Sequence, residues 1–311
     1  MESLIGFLGL AVLIIVYMRR WLLRREIPQQ QATTFKGELY TVGQATIARR
    51  TSRQPARASV IVMPGFMENF LYFTEFYCDP AIELIMITSA DYHVPVLDGR
   101  ATVPAWSKPP AAEPGSIAYD AEVLNLALRN LVTTSNVRVH GHSRGGAVTL
   151  EAARQQPALF ENTEVILEAP VLPQGKPYAP IPATARWFLP FFLPMWQQQP
   201  ISARNISVWG PLENPRKREL IMGLPYNPRH CYTMDANMRD MAQWMENTSS
   251  DIYQHVKRGA ILVPGKDRVL RTDAMRASAQ QAENLQLIEI DGGSHFVIPD
   301  NAESIPPLAL V

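Results

Sequence analysis

Residues 136–156, NVRVHGHSRGGAVTLEAARQQ, decide how this chain folds. The segment opens on an apolar run of strand type that ends at Gly141, and it closes on a helical stretch that begins just after Ser143. Between them Gly141-His142-Ser143-Arg144-Gly145 reads G-x-S-x-G. Glycine and serine are common enough that the bare pattern turns up by chance on the order of once per ten chains of this length. Its setting gives it content. A tight turn from strand to helix forces the serine into a strained backbone position, and the glycines two before and two after it keep Cβ atoms out of the way. The hydroxyl is then presented above the sheet edge at a helix N-terminus, where developing negative charge is favoured.

Short apolar runs alternate with helical stretches on both sides of this bend, the pattern of a mostly parallel sheet with helices on its faces. Strands are expected over residues 39–49, 59–64 (SVIVMP), 83–88 (ELIMIT), 136–141 (NVRVHG), 164–169 (EVILEA), 260–265 (AILVPG) and 285–290 (LQLIEI). The Val- and Ile-rich runs are continuous rather than alternating, as strands covered on both faces should be. Ser116 is placed to cap a helix over 117–132, whose Ala121, Leu124, Leu128 and Leu131 share one face. Another helix starts near 144, and a third covers 272–283 with Thr272 as its expected cap. Residues 170–250 break the rhythm. They are rich in Pro, Trp, Phe and Met, contain ATARWFLPFFLPMW (183–196) and lack a strong strand, so they read as an inserted, largely helical cap.

A serine is a poor nucleophile unless a base stands beside it, itself oriented by a third group. AILVPGKDRV carries Asp267 two residues past an apolar run, and LQLIEIDGGSHF carries His295 in a glycine-containing loop after the next. Both stand at carboxyl ends of strands, where ligand crevices form in parallel sheets. Ser143, Asp267 and His295 are therefore the candidate catalytic triad. Glu168, at the end of the preceding strand, and Asp291 and Asp300, near the histidine, compete for the acid's place. His140 and His142 flank the bend and are expected to point away from the hydroxyl. With His93, His230 and His255 they read as structural. Two N–H groups are needed to hold an oxyanion. The backbone of Arg144 supplies one, and the loop SVIVMPGFMEN offers Phe66 as the other, although its Pro-Gly pair also suits an ordinary turn.

With PGF at 64–66, GHSRG at 141–145, GKD at 265–267 and GGSH at 292–295, the chain resembles the α/β-hydrolase superfamily over residues 38–300. The resemblance implies an eight-stranded, mostly parallel sheet with helices on both faces and a helical cap between the sixth and seventh strands. Cap position and acid placement resemble the lysophospholipase and monoacylglycerol-lipase-like branch, and the serine disfavours branches with an aspartate nucleophile. Two departures stand out. The second oxyanion loop reads Pro-Gly instead of the commoner His-Gly, and only 16 residues, Pro306 and Pro307 among them, follow His295, so the usual terminal helix should be shortened or missing.

The first residues carry a different signal. Residues 3–18, SLIGFLGLAVLIIVYM, contain no charge and are followed by Arg19, Arg20, Trp21, Arg24 and Arg25. As a helix that run is about 24 Å long, and interfacial Tyr17 and Trp21 with snorkelling arginines make up the shortfall against a hydrocarbon core of about 30 Å. A cleaved signal would carry its positive charge before the apolar run and an A-x-A-like site after it. Here Glu2 precedes the run, so residues 1–26 read as an uncleaved, single-pass membrane anchor, with a buried core helix or a signal peptide as the rival readings. The arginines on the C-terminal flank place the rest of the chain on the cytoplasmic side. Residues 27–37 form a polar tether, and 38–311 form the α/β-hydrolase domain with the cap at about 170–250.

The whole chain is formally neutral, with 29 basic and 29 acidic residues; beyond residue 26, 25 basic and 27 acidic residues remain. That balance argues against nucleic acid as a partner. Cys78 and Cys231 show no metal-ligand spacing and read as two reduced thiols, and nucleotide and zinc-peptidase motifs are absent, so neither metal nor cofactor is expected. Trp187, Phe188, Phe191, Phe192 and Trp196 cluster in the cap. They can line an acyl pocket, dip into a lipid interface or form the cap's own core. Arg216, Lys217 and Arg218 read as a solvated loop or a headgroup contact. The combined expectation is a membrane-anchored serine hydrolase cleaving lipid or acyl esters. An acyltransferase with the same triad, a catalytically dead membrane-tethered binding module and a peptidase are the rival readings.

Overall fold

The structure, a computed structural model, describes residues 2–26, 35–92, 94–96, 99–224 and 226–308. Most of the expected tether, residues 27–34, and His93 lie outside the described residues. The run at 39–49 is not a single strand. Gly43 takes φ +59°, and the chain reverses there into a hairpin of β1 (Glu38–Val42) and β2 (Ala45–Arg50), with Val42 opposite Ala45. A glycine adopts that left-handed backbone without the Cβ penalty that other residues meet. The other six runs are β3 (Ala58–Met63), β4 (Ile82–Ile87), β5 (Val137–His142), β6 (Thr163–Glu168), β7 (Arg258–Pro264) and β8 (Gln286–Ile290).

These eight strands form one sheet in the order β1-β2-β4-β3-β5-β6-β7-β8, antiparallel only at β1-β2 and β2-β4. This is the α/β-hydrolase fold. The central strands β3 to β7 are largely buried on both sides, and alternate residues serve different cores. Ile61 and Met63 of β3 and Ile85 and Ile87 of β4 pack on one face with α3 (Ile117–Leu131), α4 (Arg144–Gln155), the one-turn α5 (Pro157–Phe160) and α11 (Thr272–Ala279). Val60, Val62, Leu84 and Met86 pack on the other with α2 (Leu71–Thr74). Two-sided burial is why the runs read as continuously apolar.

The caps fall partly as expected. Ser116 Oγ accepts from the Tyr119 N–H at 3.1 Å and starts α3. Thr272 is instead the first residue of α11, and its hydroxyl donates to the Pro264 carbonyl at 3.0 Å. It ties the helix to the end of β7 rather than capping it.

Between β6 and β7 the chain leaves the sheet for α6 (Ala183–Trp187), α7 (Leu189–Gln198), α8 (Ile206–Trp209), α9 (Pro215–Met222) and α10 (Cys231–Asn247), the expected cap. The Arg216–Arg218 triplet lies on α9, capped by Asn214, and is not a solvated loop. Lys217 is buried against Asp300 at 2.6 Å, and Arg216 pairs with Glu75 and Glu219. After β8, α12 (Val297–Asn301) is only five residues long.

At the N-terminus α1 (Glu2–Arg24) is 23 residues long, about 34 Å at 1.5 Å per residue. It runs through Arg19 and Arg20 to Arg24, within the expected anchor, and it is long and apolar enough to cross a membrane.

Topology sets the position of the site. From β3 the chain moves outward to β4 on one side, then returns to β5 on the other. The loops leaving the carboxyl ends of β3 and β5 therefore diverge around a switch point, where open α/β sheets form their crevices.

Candidate active site

Ser143 sits at that switch point with φ +52° and ψ −118°, a conformation outside the ordinary regions for a residue with a side chain. Local bonds hold it there. Its N–H donates to the Glu168 carbonyl at 2.9 Å, and its own carbonyl accepts from Gly146 N at 3.0 Å and Val171 N at 2.9 Å. The flanking glycines are required by contact. A Cβ on Gly141 would lie 2.4 Å from the Gly145 carbonyl oxygen, and one on Gly145 would lie 2.0 Å from that of Met63. The helix following β5 can approach the end of β3 so closely only without those side chains.

The loop after β3 lies beside the serine. A Cβ on Gly65 would fall 2.9 Å from Ser143 Cβ. Residues 65–68 form a turn in which the Glu68 N–H donates to the Gly65 carbonyl at 3.3 Å, and Phe66 sits within it. The Phe66 ring packs beneath the cap against the Leu189, Leu193 and Tyr226 cluster. Arg144 is the first residue of α4, so its N–H has no carbonyl one turn back to bond. The structure thus brings both candidate oxyanion donors next to Ser143.

Asp267 and His295 arrive from β7 and β8. His295 Nδ1 lies 2.6 Å from Asp267 Oδ2, and Asp267 Oδ1 accepts from the Val269 and Leu270 N–H groups at 2.6 and 2.9 Å. Burial alone would raise the Asp267 pKa. The His295 ring and those two N–H groups outweigh it and hold the carboxyl below its ordinary value. The competing acids are engaged elsewhere. Glu168 accepts from Tyr72 Oη and the Ile298 N–H, Asp300 from Lys217 and Ser294, and Asp291 is exposed. Among the described residues, the Ser143 hydroxyl makes no hydrogen bond to the His295 ring. Such bonds are often long before substrate binds. Ser143, Asp267 and His295 are 5, 4 and 3% exposed.

Three features of the site lack a sequence signal. The first is a buried ion pair joining the two sides of the crevice. Glu68 Oε2 accepts from the Gly65 N–H at 2.8 Å and faces His142 Nδ1 at 2.7 Å, while His142 Nε2 faces the His295 carbonyl at 3.0 Å. Both ring nitrogens meet oxygen acceptors, so both carry protons and the ring is an imidazolium. Burial would push its pKa down, but Glu68 and Glu168 raise it to about 9. His142 thus sits beside the His295 loop, its ring centre 4.9 Å from that of His295, and makes no hydrogen bond to the Ser143 hydroxyl among the described residues. His140 lies deeper, against Tyr77 and Glu168, and burial lowers its pKa.

The second is the Arg144 side chain. It is buried, pairs with Asp120 at 2.5 Å and donates to the Gly115 carbonyl, which also accepts from Asn237 of α10. The bend is thereby tied to the cap.

The third is a small cavity of about 20 Å³ between the cap and the His295 loop, lined by Tyr72, Trp209, Leu220, Ile221, Leu224 and Phe296, among others. Trp187, Phe188, Phe191, Phe192 and Trp196 do not line it. They lie on α6, on α7 and at their junction, Phe191 half-buried and the other four 37–43% exposed.

A hydroxyl on a strained bend, an imidazole fixed by a carboxylate and two N–H groups at the same crevice form a set able to carry out acyl transfer through a covalent intermediate. Residues 89–305 match the alpha/beta hydrolase family. No curated protein sequence matches the chain. Among solved structures the chain is similar to 2-hydroxy-6-oxo-6-phenylhexa-2,4-dienoate hydrolase from Rhodococcus sp. strain RHA1 (17% identity, TM-score 0.60, covering 86% of this chain and 95% of that one). It is also similar to an esterase from Exiguobacterium antarcticum (14%, 0.57, 86% and 96%) and to a thermophilic esterase from Thermogutta terrifontis (15%, 0.56, 90% and 94%). At these identities the likeness concerns the fold.

Proposed function

The chain belongs to the alpha/beta hydrolase family, and from that premise we propose that it is a membrane-anchored serine hydrolase that cleaves carboxylic esters, lipid or acyl esters foremost. The observation that carries the reading is the 2.6 Å contact between His295 and Asp267 at the crevice where Ser143 stands on its strained bend. In this reading Ser143 Oγ attacks the ester carbonyl carbon while His295 Nε2 takes the hydroxyl proton. Asp267 holds the ring in place and stabilises the imidazolium. The oxyanion is held by the N–H groups of Arg144 and Phe66. His295 then protonates the departing alkoxide, leaving an acyl-enzyme. Water attacks that ester with His295 again as base, releasing the acid and restoring Ser143.

The anchor is α1. Its apolar length and the arginines at its C-terminal end support a single pass with the catalytic domain on the cytoplasmic side. Esterases among the structural neighbours support ester chemistry, and tethering beside a bilayer supports an acyl-lipid substrate. The test is an activity series of the full chain on short water-soluble esters, long-chain monoacylglycerols and lysophospholipids, with Ser143→Ala as control. Ester turnover rising with acyl length and lost by about 10³-fold or more in the variant is expected. Equal or faster turnover of amides or peptides overturns the ester assignment.

A further inference from the structure

We propose that the exposed aromatic face of α6 and α7 is a membrane-docking surface, seated in the headgroup layer of the same bilayer that α1 crosses. The proposal rests on the reading of α1 as an anchor.

α7 has two apolar stripes. Leu189 and Leu193 face inward and are buried. Phe188, Phe192, Met195 and Trp196, at helical spacing on the neighbouring face, are 43, 42, 64 and 38% exposed. A surface helix in water presents polar residues outward. Here the chain from Trp187 to Ala203 contains no Asp, Glu, Lys or Arg. An exposed apolar face of this kind marks a contact surface.

The position of α1 identifies the occupant. Along Leu4–Met18 the large apolar side chains of α1 are 40–71% exposed, apart from half-buried Val16. At Arg19 the helix meets the cap. Arg19 Nε donates to the Trp187 carbonyl at 3.1 Å, and its guanidinium lies 5.0 Å from the centre of the Trp187 ring. One turn later Leu22 is buried, and Leu23 packs on the cluster containing Leu189 and Leu193. Glu26 pairs with Arg229 at 3.1 Å. If Leu4–Met18 occupies hydrocarbon, Arg19 marks the boundary where arginines snorkel and tryptophans collect. Trp187 stands at that level, so the uncharged face of α6–α7 is held at headgroup depth. The cap over Ser143 would then face the membrane, and an acyl substrate would enter from lipid.

The test is site-directed spin labelling of the full chain in phosphatidylcholine–phosphatidylglycerol vesicles. Nitroxides are attached singly at Phe192→Cys, Met195→Cys, Leu10→Cys and Glu283→Cys in a Cys78→Ser background. Cys78 is exposed, while Cys231 is buried. Glu283 is exposed and precedes the amino end of β8, at the opposite end of the sheet from the cap. Molecular oxygen concentrates in lipid and a nickel chelate stays in water, so the ratio of their collision rates reports depth. Labels at 192 and 195 should give a ratio roughly tenfold above that at 283, as for a helix whose apolar face lies about 5–10 Å into the interface.

A lipid-like ratio at 10 with water-like ratios at 192 and 195 overturns the docking surface and leaves the anchor standing. Water-like ratios at all four positions overturn both. Labels at 192 and 195 shielded from both reagents, with dipolar broadening between copies, assign the face to a second copy of this chain and overturn the proposal.

Discussion

Glu68→Gln tests whether His142 carries a buried positive charge that clamps the two sides of the crevice. In the native protein, burial pushes the His142 pKa down, and the Glu68 and Glu168 carboxylates raise it to about 9. In an unfolded chain a histidine titrates near about 6.5. A pKa raised on folding contributes stability that is fully present below the unfolded value and is lost as pH rises through the folded one. The window is therefore about pH 6.5 to 9. A difference of about 2.5 units at about 1.36 kcal/mol each gives roughly 3 kcal/mol. At about 1.5–2 °C per kcal/mol for a chain of this size, the native Tm should fall by roughly 5–6 °C between about pH 6 and pH 9.5. Without the Glu68 carboxylate burial dominates, the ring stays neutral, and only one of its two nitrogens can donate. The variant should melt well below the native protein at about pH 6, with the gap narrowing toward pH 9.5. Thermal unfolding of both full chains in detergent at about pH 6, 7.5 and 9.5 reads this directly. A gap of constant size across that range would refute the buried imidazolium.

Two further outcomes follow from the same geometry. Asp267→Asn keeps an oxygen for the Val269 and Leu270 N–H groups, so the fold should stand, but the ring of His295 loses its carboxylate partner. Turnover of a short ester should fall by about 10⁴-fold with little change in Tm, and a loss under about tenfold counts against Asp267 as the acid. Gly145→Ala puts a methyl 2.0 Å from the Met63 carbonyl oxygen and 3.0 Å from that of Pro64, both backbone atoms that cannot rotate away. A loss of about 4 kcal/mol or more is expected in denaturant unfolding, and native-like stability would show that α4 does not approach β3 so closely.

Much of this architecture was legible because the sheet is covered on both faces. Six of the strands announce themselves as short runs rich in Val, Ile and Leu, and the carboxyl ends of β5, β7 and β8 are then positions at which Ser143, Asp267 and His295 can be read. The 39–49 segment reads as one strand because β1 and β2 carry a similar mixed apolar pattern on either side of Gly43, and a lone glycine does not announce that it takes φ +59°. Thr272 looks like a cap and instead bonds the end of β7. The Glu68–His142 pair has no local signature. It exists only because the loops after β3 and β5 diverge from one switch point, which brings residues 74 apart in sequence to 2.7 Å. Lys217 looks like one of three surface charges until Asp300 is seen beside it. The joining of Arg19 to Trp187, 168 residues apart, is likewise a product of tertiary folding.

The central claim is that the Ser143 hydroxyl is an activated nucleophile, and covalent labelling tests it most directly. The full chain is treated with a fluorophosphonate and digested, and the modified residue is located by mass spectrometry. One adduct is expected, on Ser143, and none in a Ser143→Ala variant with an unchanged thermal transition. A folded native protein that leaves Ser143 unmodified, or a variant that still labels to the same extent at another residue, would contradict it.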